Sequence, residues 1–201
     1  MAAMLDYRQL YYRFITNFAL SGLPHLRGRR RIGGFVFIGK SPSMHLEIER
    51  RFLALPAALT WCRRGTEIEQ GYLRADGRLT VRIRIAGDAG VVTIKGQRCG
   101  CSRLEHETPV SLSGARALLA RVPPGMRVRK TRYEVEIAGL IWEIDVFADA
   151  NAGLILAEVE IDDPDQPISL PPWIAREVTR DARYSNSQLA RRPYGSWALA
   201  A

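Results

Sequence analysis

A short stretch of this chain, residues 44–53, constrains its fold more than any other part of the sequence. Successive side chains of a β-strand point to opposite faces, so Glu47, Glu49 and Arg51 are expected to share one face of a strand. The opposite face carries three apolar residues, Leu46, Ile48 and Phe52. Like charges side by side on a sheet are costly. The charged face is therefore a candidate binding surface.

The same alternation of charged and apolar residues recurs in seven stretches between residues 44 and 161. The aligned charged positions include seven basic residues, Arg51, Arg82, Arg84, Lys95, Arg103, Lys130 and Arg132, and ten acidic residues, Glu47, Glu49, Glu105, Glu107, Glu134, Glu136, Glu143, Asp145, Glu158 and Glu160. An antiparallel sheet with one solvated face explains any single strand of this kind. Solvated faces normally also contain Ser, Thr and Gln, so the full set favours strands that curve into a barrel with the charges inside.

The predicted fold class is α+β, mainly antiparallel β, with a closed barrel, a polar charged lumen and helices packed outside. Closure removes the exposed sheet edges. A helix is predicted over residues 112–121, with Ser111 or Ser113 as its N-cap, and short helices are predicted over 173–177 and 185–190. These helices would cover the apolar outer face of the barrel.

Residues 1–43 differ in composition from the rest of the chain. They contain seven of the 29 Lys and Arg residues but one of the 21 Asp and Glu residues, so most of the net charge of +8 belongs to them. We expect an N-terminal extension that is disordered or not native, with translation beginning at Met44. The domain proper is predicted to span residues 44–190, followed by a C-terminal tail, residues 191–201. Because the domain is nearly neutral overall, no specific nucleic-acid partner is expected.

The cysteines and the hydropathy pattern indicate the expected cellular location. Three cysteines, Cys62, Cys99 and Cys101, provide no even disulfide framework, which favours a reducing, cytoplasmic location. The spacing of Cys99 and Cys101 does not match the common zinc patterns. No apolar run reaches the roughly 18 to 20 residues that a membrane span needs, so no membrane span is expected. Both a monomer and a homodimer are left open.

The charged face suggests a particular ligand chemistry. Converging guanidinium and ammonium groups suit a polyanion, because a guanidinium binds phosphate oxygens in a bidentate manner. Paired carboxylates suit a hard divalent cation such as Mg²⁺ or Mn²⁺, which prefers oxygen ligands. A lumen with both kinds of group is therefore expected to bind a metal–polyphosphate complex.

These residues resemble the CYTH domain family, the triphosphate tunnel metalloenzymes. The resemblance covers residues 44–190 and is carried in order by Glu47-Ile48-Glu49-Arg50-Arg51-Phe52, Arg82-x-Arg84, Thr93-x-Lys95, Arg103-x-Glu105-x-Glu107, Lys130-x-Arg132, Trp142-Glu143-x-Asp145, Glu158-x-Glu160 and the ending from Val178 to Asn186. It implies an eight-stranded antiparallel tunnel that binds a small-molecule triphosphate with a divalent metal, Mg²⁺ or Mn²⁺. One departure is Arg51, which stands where the family signature has Lys.

The resemblance also implies residue roles and an activity. The substrate-binding residues would be Arg82, Arg84, Lys95, Lys130 and Arg132; the metal ligands Glu158, Glu160, Asp145, Glu143, Glu105 and Glu107; and the catalytic residues Glu47, Glu49 and Arg51. The leading function is metal-dependent hydrolysis of inorganic triphosphate to pyrophosphate and phosphate. The alternatives are a class IV-type adenylate cyclase, a thiamine triphosphatase, and a non-catalytic module that binds polyphosphate or a nucleotide.

Overall fold

The computed structural model describes residues 43–76 and 78–197, so the expectations for residues 1–42 and for the last four residues lie outside it. The described residues form nine β-strands and two α-helices. The strands are β1 (Ser43–Ala54), β2 (Gly65–Ala75), β3 (Thr80–Ala86), β4 (Ala89–Lys95), β5 (Ser102–Val110), β6 (Arg127–Ile137), β7 (Leu140–Phe147), β8 (Ile155–Glu160) and β9 (Ile174–Glu177). The helices are α1 (Leu112–Ala120) and α2 (Asn186–Arg191).

Strands β1 to β8 form a closed antiparallel barrel. The hydrogen-bonded order runs β5-β4-β3-β2-β6-β7-β8-β1, and β1 also pairs with β5, which closes the ring. The first half of β1 pairs with β5, with Leu46 opposite Leu104, and its second half pairs with β8, with Arg51 opposite Glu158. The predicted eight-stranded barrel is therefore confirmed.

The outer face of the barrel carries an apolar cluster on the side formed by β1, β7 and β8. Phe52 lies 5.5 Å from Trp142, and Trp142 lies 5.7 Å from Trp173, measured between ring centroids. All three rings are almost fully buried. Phe52 and Trp142 alternate with the charged residues of their strands, so the apolar positions lie outside as the alternation predicts.

Helix α1 covers another part of the outer face and packs against β3 and β4. Its N-cap is Ser111, whose hydroxyl accepts a 3.1 Å hydrogen bond from the Gly114 amide. The helix approaches the sheet closely at Gly90, where an added Cβ would lie 2.6 Å from the Ala115 Cβ. Glycine at this position is required by that contact rather than by a turn.

At one end of the barrel the inward positions are apolar. Val128, Phe147 and Leu156 face inward there, on the same faces of their strands as the charged residues, and pack with Tyr184 and Leu189 of the C-terminal segment. This cluster leaves the charged positions to occupy the remaining part of the interior.

One local prediction was wrong. Residues 174–177 form the short strand β9, not a helix, and pair with the end of β1 at Phe52, Leu53 and Ala54. Pairing with the edge of β1 opposite β8, beyond the residues that pair with β5, supplies backbone partners that outweigh local helical preference. Strand β2 begins at Gly65, and its first half pairs with β6.

Candidate active site

The charged faces of the strands line one cavity of about 340 Å³. All barrel strands except β2 contribute to it, and all but two of the lining side chains in the described part of the chain are charged. The lining residues are Glu47, Glu49, Arg51, Arg82, Arg84, Lys95, Arg103, Glu105, Glu107, Arg132, Ile141, Glu143, Glu158, Glu160 and Asn186. The cavity therefore brings together twelve of the fourteen residues that the sequence predicted for the site.

Glu47 is held by two basic side chains from neighbouring strands. Lys95 Nζ donates to its two carboxylate oxygens at 2.9 and 3.1 Å, and Arg103 Nε donates at 2.6 Å. Burial alone would raise the pKa of Glu47, but Lys95 and Arg103 lower it well below its usual range. Glu47 is therefore a fixed negative charge that orients two cations.

Glu105 also contacts Lys95, but its pKa is shifted in the opposite direction to that of Glu47. Its carboxylate forms an ion pair with Lys95, and it lies 3.9 Å from Arg82 Nη2. Burial raises the pKa of Glu105 to about 7, and the negative charge of Glu47 adds to this effect, whereas Lys95 opposes it. The charge of Glu105 is therefore expected to change near neutral pH.

Arg51 connects two acidic residues that the sequence places far apart. Its Nε donates to Glu158 Oε1 at 2.6 Å, and its Nη2 donates to Glu49 Oε1 at 2.6 Å. Arg132 Nη2 donates to the other oxygen of Glu158 at 2.9 Å. Although burial would raise the pKa of Glu158, its cationic neighbours, Arg51 first among them, lower it well below the usual value.

Asp145 and Lys130 are the two predicted site residues that do not line the cavity. Asp145 is fully buried, and Lys130 is 4% exposed. Arg132 Nε and Nη2 donate to the two oxygens of Asp145, both at 2.7 Å, and Lys130 Nζ also donates to Asp145. These contacts place Asp145 behind Arg132, where it fixes the guanidinium, and Lys130 in turn holds Asp145.

Arg82 and Arg84 on β3 are less fully paired than the other basic residues. Both donate to the same oxygen of Glu107, at 3.3 and 3.2 Å, and Arg82 also donates to the Thr93 hydroxyl at 3.0 Å. The Nε atoms of both arginines are buried without an acceptor in the described part of the chain. Unpaired buried donors are costly, which indicates that a ligand supplies the acceptors.

Carboxylates face one another on the opposite wall. Glu49 on β1 is opposite Glu160 on β8, and Glu143 on β7 is opposite Glu158 on β8. Directly opposed like charges destabilise a sheet unless a cation lies between them. Within residues 43–76 and 78–197, no group of three or more His, Cys, Asp or Glu side chains is arranged to hold a metal ion. An ion such as Mg²⁺ needs fewer than three such side chains, because it is commonly held by one or two carboxylates together with water and substrate phosphates.

Four further residues belong to the site, although no specific role was predicted for them. Arg103 holds Glu47, and Arg98 Nη2 lies 3.5 Å from Glu49 Oε1. Ile141 and Asn186 line the cavity. The alternation on β5 placed Arg103 on the charged face, but Arg98 lies in a loop and Asn186 on a short helix. For these two residues no periodic pattern was available.

A model of the CYTH domain matches residues 45–194, which is most of the chain. The chain belongs to the CYTH domain family. It is 38% identical over 151 residues to an inorganic triphosphatase of Acetivibrio thermocellus, which covers 75% of this chain and 97% of the relative. It is also 36% identical over 148 residues to an inorganic triphosphatase of Nitrosomonas europaea. That match covers 72% of this chain and 96% of the relative.

A crystal structure described as an inorganic triphosphatase has the same fold. The superposition has a TM-score of 0.53 with 35% sequence identity and covers 72% of this chain and 97% of that one. The CYTH match also confirms the family resemblance found in the sequence motifs. Among the described residues of this CYTH protein, no helix is long and apolar enough to cross a membrane.

Proposed function

We propose that this protein hydrolyses inorganic triphosphate to pyrophosphate and phosphate with the help of a divalent cation, Mg²⁺ or Mn²⁺. The observation that carries the proposal is the division of one cavity into two walls. On one wall, Arg82 and Arg84 have buried donors without acceptors. On the other, Glu49 faces Glu160 across paired strands. A polyphosphate with a bound divalent cation satisfies both walls at once.

The names of the relatives support the same activity. Two proteins more than one-third identical to this chain over nearly their full length are named inorganic triphosphatases. The lining of the cavity fits inorganic triphosphate, a substrate without an organic group. Ile141 and Asn186 are its only uncharged lining residues among those described, so an adenine or thiazolium ring would find little apolar surface.

The basic residues bind and orient the substrate in this proposal. Arg82, Arg84 and Lys95 hold phosphate oxygens on one wall, and Arg51 and Arg132 hold them on the other. Phosphoryl transfer depends mainly on such positioning and on neutralisation of charge. Lys130 acts indirectly, because it contacts Asp145 and Asp145 fixes Arg132.

The acidic residues complete the site. Glu158 and Glu160, with Glu143, fit a divalent cation by donor type, and Glu49 orients the water that attacks the terminal phosphorus. A divalent cation held there would neutralise phosphate charge. Water forms a new bond to phosphorus while the bridging phosphorus–oxygen bond breaks, and pyrophosphate leaves. Glu47 keeps Lys95 and Arg103 in place, and Glu107 fixes Arg82 and Arg84.

The proposal is tested by measuring phosphate release from triphosphate, ATP and thiamine triphosphate with Mg²⁺, Mn²⁺ or a chelator. We expect triphosphate to have the highest kcat/KM, by about tenfold or more, and the chelator to abolish turnover. Cyclic AMP, assayed in the ATP reactions, would identify a cyclase and overturn the hydrolase assignment. Tight triphosphate binding without turnover of any substrate would instead identify a binding module.

A further inference from the structure

Among the residues that the structure describes, Asn186 is the one amide side chain that lines the charged cavity. It is the first residue of α2, which packs against β6 and is tied to β2 by a hydrogen bond from Arg191 to the Ala75 carbonyl. The Oδ1 atom of Asn186 is buried, and no donor in the described part of the chain reaches it. A buried acceptor without a donor is uncommon and costly.

A purely structural role does not explain this side chain. The N-cap of α2 is Ser185, whose side chain makes no capping hydrogen bond. Asn151 shows how a structural asparagine is bonded in this fold. Its Nδ2 donates to the Leu189 carbonyl at 3.2 Å, and its Oδ1 accepts from the Tyr194 amide at 2.7 Å. Asn186 has no comparable partner for its oxygen.

The chemistry of the site limits what can donate to Asn186 Oδ1. An amide oxygen is an acceptor only. The oxygens of an ionised triphosphate are also acceptors, so they cannot satisfy it. In the function proposed above, the lining cations Arg51, Arg82, Arg84, Lys95 and Arg132 hold phosphate oxygens, and Arg103 holds Glu47. Water is the donor that remains when triphosphate occupies the cavity.

We propose that Asn186 is a positioning residue that orients the attacking water of the hydrolytic reaction, an inference that rests on the function proposed above. Asn186 Oδ1 accepts one O–H of the water, which directs an oxygen lone pair toward the terminal phosphorus. The water becomes part of the product phosphate, and its second proton is left to the acidic groups of the cavity. Restricting the orientation of a nucleophile lowers the barrier to its attack.

Three variants test this role. Asn186→Ala removes the acceptor, Asn186→Asp keeps an acceptor oxygen but adds a charge, and Gln188→Ala removes an exposed amide from the same helix as the matched control. For each, kcat and KM for triphosphate are measured, together with the Kd for triphosphate without divalent cation by titration calorimetry and the Tm.

We expect Asn186→Ala to lower kcat by about tenfold, the loss of one hydrogen bond, while KM and Kd stay within about twofold. Asn186→Asp should recover part of kcat while its charge raises Kd, and Gln188→Ala should match the wild type. A rise in Kd at unchanged kcat for Asn186→Ala would mean that the amide donates to phosphate, and would overturn the role, as would an unchanged kcat. Failure of the wild type to hydrolyse triphosphate would instead refute the function itself.

Discussion

Arg51 donates a 2.6 Å hydrogen bond to Glu158 across the pairing of β1 with β8. Both side chains are buried, with 5% and 4% of their surface exposed. This contact joins the strand that opens the described fold to the last strand of the barrel.

Arg51→Met should lower the free energy of unfolding by about 3 kcal/mol, because it leaves the buried carboxylates of Glu49 and Glu158 short of a partner. Arg51→Lys should cost less, since it keeps the charge but not the forked geometry. Urea denaturation measures both. Arg50→Met is the control, because Arg50 pairs with the exposed Glu177 on the outer face and should cost about 1 kcal/mol or less. Equal losses at positions 50 and 51 would contradict this interpretation.

Glu49→Gln should reduce kcat for triphosphate by about 100-fold or more, since the variant lacks the carboxylate charge beside the attacking water. The barrel should stay folded, because glutamine still offers an oxygen to Arg51. Steady-state kinetics and thermal denaturation check the two parts. Glu177→Gln makes the same chemical change on the outer face and should leave kcat unaltered. An active Glu49→Gln enzyme would remove Glu49 from the proposed site.

Asp145→Asn should weaken triphosphate binding by about tenfold and leave the metal requirement unchanged, since Asp145 holds Arg132 and does not line the cavity. Glu160→Gln should leave triphosphate binding unchanged and raise the divalent-ion concentration needed for half-maximal activity. Titration calorimetry and metal-dependence curves separate the two effects. If Asp145→Asn shifts the metal dependence as far as Glu160→Gln does, Asp145 is a metal ligand after all, as the sequence predicted.

Arg84→Lys should raise the Kd for triphosphate by about tenfold, because lysine cannot replace a guanidinium that presents several donors in a fixed plane. Among the described residues, Arg84 is held by Glu107 alone, at 3.2 Å, and its buried Nε lacks an acceptor. Calorimetric titration gives the Kd. Arg74→Lys alters an exposed arginine that pairs with Asp76, and its Kd should equal that of the wild type.

Glu105 should make the stability of the metal-free protein depend on pH. The pKa of Glu105 is raised from its ordinary value of 4.5 to about 7 by burial, so between these values the folded protein binds a proton that the unfolded chain does not. The contribution of Glu105 to the free energy of unfolding therefore falls as pH rises from 4.5 to about 7. Because Glu105→Gln stays uncharged, its Tm relative to the wild type should rise between about pH 5 and pH 7.5. A constant difference would contradict this assignment.

The features that depend on local periodicity could be predicted from the sequence alone. The side-chain period of a strand is two, so the alternation assigned Glu47, Glu49 and Arg51 to one face without reference to any other strand. The Ser111 cap of α1 is local for the same reason, since its partner Gly114 lies three residues away. Strand β9 was missed because four residues carry too little pattern, and their structure depends on the edge of β1.

The sequence by itself determined that the charged side chains share one face of each strand, and its ordered motifs indicated the CYTH family. Only the tertiary structure decided which charges meet. Lys95 contacts Glu47, which lies 48 positions earlier, and Arg51 contacts Glu158, which lies 107 positions later. It also placed Asp145 behind Arg132 and brought Asn186 to the cavity. These relationships depend on how distant strands are aligned when the barrel closes, and no local spacing encodes that alignment.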